Sequence, residues 1–60
     1  MPDDFPFSAL IACAAREVEK RRRAYPRRVA NGYMSQELAD LEIAKMEAIV
    51  EKLRELSWRK

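Results

Sequence analysis

Seven basic side chains crowd one stretch of the chain: Arg16, Lys20, Arg21, Arg22, Arg23, Arg27 and Arg28, opposed there only by Glu17 and Glu19. At 100° per residue on a helix, Arg16, Lys20, Arg23 and Arg27 fall on one stripe about three turns long. Such a row can hold an acidic protein surface or neutralise nucleic-acid phosphates. It can also serve only to keep a helix solvated and to complement its C-terminal dipole. Tyr25 and Tyr33 are the rings close enough to stack on a base, and Tyr25 doubles as a core residue. Residues 35–56 have the opposite balance, with Glu37, Asp40, Glu42, Glu47, Glu51 and Glu55 against Lys45, Lys52 and Arg54. An acidic second helix repels DNA on its own side, so protein contact ranks above nucleic-acid binding.

Few other side chains could do covalent or acid–base chemistry. The chain has no His and a single Cys13, so it holds neither a zinc-finger ligand set nor a Cys/His nucleophile pair. An intrachain disulfide is excluded as well. Arg22 lies at the edge of one apolar arc and Glu42 within another, and a pairing between them, or of Glu42 with the Tyr25 hydroxyl, is expected. Such a pair specifies register more than it stabilises. No nucleophile or metal ligand stands behind it, so the expectation is a protein that is not an enzyme and uses no cofactor and no metal.

The elements that position these residues are helical. Sixty residues make at most one domain, read as a single unit over 1–60, and 48% hydrophobic with 37% charged residues is too apolar for a disordered tail. One Gly argues against a turn-rich β domain. Asn31-Gly32 punctuates the chain, and Gly32 suits the left-handed position that ends a helix. Ser8 and Ser35 are N-cap candidates. These signals predict helix 1 over about 8–31, a turn at 32–35 and helix 2 over about 36–57. A turn that short forces an antiparallel αα-hairpin. Pro26 falls inside helix 1 and is expected to kink it, or to open a short helix of its own.

Ile11, Ala14, Val18, Tyr25 and Val29 share one arc of helix 1. In helix 2, Ala39, Ile43, Met46, Val50 and Leu53 recur at 4-3-4-3 spacing, widened on one side by Leu38, Ile49 and Leu56. Antiparallel pairing sets Val29 near Leu38 and Ala39, Val18 near Ile49 and Val50, and Ile11 near Leu56. Cys13, among alanines, reads as a small buried hydrophobe, and Met34 and Met46 as gap fillers. The Phe5-Pro6-Phe7 segment and Trp58 read either as covers for the ends of the hairpin or as anchors for a partner. The apolar arc of helix 2 is wider than one neighbour can cover. The fold class expected is therefore all-α, a kinked two-helix hairpin that dimerises into a four-helix bundle. Its dimer and core residues are Ile11, Val18, Ile43, Met46, Ile49, Val50, Leu53 and Leu56.

Arg16-Glu17-Val18, Arg21-Arg22-Arg23, Tyr25-Pro26-Arg27, Val29-Ala30, Gly32, Met34-Ser35, Ala39-Asp40 and the run Glu42 to Ile49 resemble short proteins encoded by phages and prophages of proteobacteria. The resemblance covers about residues 16–50. Its most telling piece is the Tyr-Pro-Arg step followed by Gly-x-Met-Ser, and the related pattern often has an apolar or aromatic residue where Arg28 stands. In function the chain is similar to the phage quorum-sensing anti-activator, a small helical dimer that binds a host LuxR-type regulator. The resemblance implies inhibition by binding, with Arg23, Tyr25, Arg27, Arg28 and Tyr33 as contacts.

The function expected is thus a small phage-type interaction module that binds and modulates a host protein such as a transcriptional regulator. The alternative is a nucleic-acid-binding helical dimer using the basic stripe of helix 1. Partners expected are a second copy and a host protein, with no membrane contact. The acidic start of the chain and the lack of a long uncharged apolar run argue against a signal peptide or spanning helix, so the expected location is the host cytoplasm.

Overall fold

A computed structural model describes residues 4–59 of the protein; Asp3 and Lys60 lie outside the described residues. Two helices form, α1 over Phe7–Ala30 and α2 over Gln36–Trp58, and they pack against each other as a hairpin. Among the described residues there is no strand. α1 runs through Pro26 as one continuous helix, so Pro26 does not open a separate one.

Each helix end has a local cause. α1 starts one residue earlier than its serine suggests, because Pro6 holds the cap position in extended backbone (φ −64°, ψ 151°) with no side-chain hydrogen bond. The Pro6 carbonyl accepts from the amides of Ala9 (3.0 Å) and Leu10 (3.3 Å). Ser8 therefore lies inside the helix, a correction to its reading as the cap. At the other end Gly32 adopts φ 77°. Its amide donates to Val29 at 3.1 Å and that of Tyr33 to Arg28 at 2.8 Å. That pair of bonds is a Schellman closure, which satisfies carbonyls the helix would otherwise leave bare. Ser35 caps α2, its Oγ accepting from the Leu38 amide at 3.0 Å, and Glu37 stands in the first turn beside the positive end of the helix dipole.

The seam is narrow. Ala14, Val18, Ala39 and Val50 are buried, and Ile11, Met46 and Leu53 pack against Ala14, Val18 and Val50. Ile43, Tyr25, Val29 and Met34 are half-buried. Cys13 is exposed, a correction: the 100° step that brings Ala14 to the seam carries its neighbour away from it. The molecule measures 44 × 25 × 14 Å, and its shortest dimension is close to the diameter of one helix. A single layer of two helices encloses little, and among the described residues no large side chain is fully buried. Among the described residues no helix is long and apolar enough to cross a membrane.

Candidate functional site: the flanks and outer face of the hairpin

Two arginines clasp the hairpin, one on each flank of the seam. Arg21 donates from Nη1 to the main-chain oxygen of Glu42 at 2.8 Å, with the Glu42 carboxylate 3.9 Å away. Its Nε also donates to Glu17 at 3.1 Å. Arg22 pairs with Glu47 across the other flank and with Glu19 at 3.4 Å on its own helix. The expected Arg22–Glu42 pair is thereby replaced. Val18 defines the seam, and Arg21 and Arg22 diverge to either side of it, so each meets the acid on its own side. Glu42 lies with Arg21, and Glu47 with Arg22. The tyrosine alternative fails too, since the structure gives Glu42 the Arg21 and Lys45 side chains as partners. Sequence reading missed Arg21 and Glu47, although the Glu17–Arg21 spacing of four residues signals a cation held in place on that flank.

The sequence-predicted contact residues do not form one site. Arg23 and Arg27 are exposed on the outer face of α1. Arg28 stands over the half-buried Tyr25 ring with its guanidinium carbon 5.5 Å from the centroid, a cation–π arrangement. Tyr33 projects from the turn, 81% exposed. Tyr25, Arg28 and Tyr33 thus cluster at the end where the chain reverses, since the Tyr33 amide is tied to the Arg28 carbonyl. Arg23 and Arg27 belong with Arg16 and Lys20 on the stripe. Shallow depressions of about 490 and 460 Å³ flank that stripe, and every residue lining them belongs to α1.

The apolar surface is one-sided. Leu38, Leu41, Ile49 and Leu56 on α2 each stand about half exposed, and Leu10 on α1 joins them. Helical geometry puts Leu38, Ile49 and Leu56 in one line beside the seam, on the Arg21–Glu42 flank. The other flank holds Glu47, Glu51 and Arg54 around a smaller depression of about 240 Å³. Of the residues assigned to dimer and core, Val18 and Val50 lie in the seam, Ile11, Met46 and Leu53 border it, and Ile49 and Leu56 face outward. Phe5, Phe7 and Trp58 are exposed at the end opposite the turn.

Compared with protein-family models, curated proteins and solved structures, the chain matches none.

Proposed function

We propose that the protein is an interaction module that works as a homodimer and acts by binding a host protein, such as a transcriptional regulator, and inhibiting it. The observation that carries this reading is the line of half-exposed leucines and isoleucine on α2. The chain exposes 5122 Å², whereas a compact monomer of its 7.0 kDa mass exposes about 4,000 Å². The excess, roughly 1,000 Å², is close to the ~800 Å² that each partner contributes to a standard interface. A second copy laid on the Leu38–Ile49–Leu56 flank supplies the missing layer and makes a four-helix bundle. Pro26 removes one hydrogen bond from α1 and lets that helix curve around its neighbours.

The host partner is assigned to the turn end, where Tyr25, Arg28 and Tyr33 sit together and Arg23 and Arg27 stand near. Tyr and Arg are the residue types that most often anchor interfaces. The phage-type resemblance of residues 16–50 supports a host regulator as that partner. The test is capture of a host protein on the tagged chain, followed by the affinity of Tyr33→Ala and Arg28→Ala for it. An anchoring residue is expected to cost at least tenfold in affinity, or about 1.4 kcal/mol or more. If neither substitution changes binding of the captured protein, the turn end is not the contact.

A further inference from the structure

The outward row of α1 is chemically unspent. Among the described residues, none of Arg16, Lys20, Arg23 and Arg27 forms an ion pair, while Glu17 and Glu19 on the same helix are engaged by Arg21 and Arg22. All four cations are exposed, and helical rise spreads them over roughly 16 Å. Between them the surface drops to Ala15 on one side and Ala24 on the other.

We infer that this row binds the phosphate backbone of a nucleic-acid duplex without reading its sequence. A protein partner along the row is disfavoured because the apolar lining beside it is Ala15, Ala24 and a Tyr25 ring already half-buried under Arg28, which leaves no free large anchor. Exposed ion pairs alone are worth about 0–1 kcal/mol each. A polyanion needs no anchor, since each phosphate neutralised releases condensed counterions. Single strands are disfavoured because their affinity comes from stacking, and Tyr25, the ring nearest the row, is half-buried under Arg28. Sequence readout requires side chains fixed in place for bidentate contact with base edges. Among the described residues no hydrogen bond restrains the three stripe arginines, and α1 contains no Asn, Gln or His. The row lies opposite the seam, so a second copy seated on α2 leaves it uncovered.

The experiment is fluorescence anisotropy of labelled duplexes of two unrelated sequences, titrated with the full chain across a salt series. Both are expected to bind equally, with a log–log salt slope of about −3.6 for four phosphates, hence a loss on the order of 100-fold between 50 and 200 mM salt. Replacing one stripe cation by Gln should reduce the slope by about 0.9, with helix content by circular dichroism unchanged. Arg16→Gln, Lys20→Gln, Arg23→Gln and Arg27→Gln together should abolish binding, and Lys52→Gln on α2 should leave it intact. If the fourfold variant fails to fold, the single substitutions decide. Absence of binding at low salt overturns the inference, as does a slope indifferent to the substitutions. So does a polyglutamate that binds as tightly as the duplexes, which would assign the row to an acidic protein segment. None of these outcomes depends on whether the turn end binds a host protein.

Discussion

Arg21 reaches the main-chain oxygen of Glu42 at 2.8 Å, while the next residue, Arg22, pairs with Glu47 on the far side of the seam. Neighbours on a helix diverge by 100°, so consecutive arginines straddle the Val18 line instead of reinforcing one side. With a clasp on each flank, α1 cannot roll about its axis against α2 without stretching one of them. A seam of four small buried residues provides little shape to prevent that roll.

The two clasps differ in strength. Arg21 is the less exposed of the pair (23% against 51% for its side chain) and donates to a carbonyl that cannot move with it. Arg21→Ala is expected to cost about 1–2 kcal/mol, in the range for a charge-assisted hydrogen bond. Arg22→Ala should cost less than about 0.5 kcal/mol, as exposed ion pairs do. Urea unfolding of both variants checks this, and equal costs would contradict it.

Gly32→Ala tests the turn. No heavy atom lies within 4 Å of where a Cβ would stand, so the penalty comes only from the left-handed backbone and should be about 1–2 kcal/mol. Gly32→Asn should lose less, because Asn tolerates that region. Thermal unfolding of the two variants orders them; a neutral Gly32→Ala would mean that the turn rearranges.

The two serines should separate cleanly. Ser35→Ala removes the bond to the Leu38 amide and is expected to cost about 1 kcal/mol, with Ser35→Asp restoring most of it. Ser8→Ala lies within the helix at an exposed position and should fall within about 0.5 kcal/mol of the parent. Denaturation midpoints give both values.

Self-association should be readable without any mutation. If a second copy completes the core, the melting temperature rises with protein concentration, because binding to the folded form adds to its stability. Ile49→Lys should shift the light-scattering mass toward that of one chain, 7.0 kDa, whereas Glu51→Lys on the other flank should not. A melting temperature independent of concentration would remove the dimer.

Cys13 is exposed, so a thiol reagent should modify it to completion with no denaturant present. Cys13→Ser should change stability by less than about 0.5 kcal/mol. Protection of the thiol that depends on protein concentration would place it under a second copy.

How far the sequence speaks depends on which residues are asked. Gly32 and Ser35 announce their roles locally, because backbone handedness and the need to cap bare amides are properties of a few adjacent residues. The hairpin follows from the shortness of the link between them. The 3.6-residue period also finds Val18 and Val50, since both lie at the middle of their arcs. It is weaker at the edges of an arc, where Arg22 reads as facing the acid of the wrong flank, and a run of small residues misleads it at Cys13, which lies 100° from Ala14 and faces outward. Those choices depend on the roll of each helix about its axis, which is set by packing between residues far apart in the chain. The start of α1 escapes the sequence for a different reason: Pro6 holds the cap position with no side-chain hydrogen bond, so a search for capping serines passes over it. The stripe of free cations was fully legible, because it lies opposite the seam and no tertiary contact alters it.

Trp58 is the sole indole of the chain and is 81% exposed. Its emission therefore starts near that of a water-bathed fluorophore, and any body that settles against Phe5, Phe7 and Trp58 must shift it to the blue. Binding at the turn, the opposite end of the hairpin, leaves the spectrum still. The protein thus carries its own optical reporter, and the colour of its fluorescence tells which end a ligand has chosen.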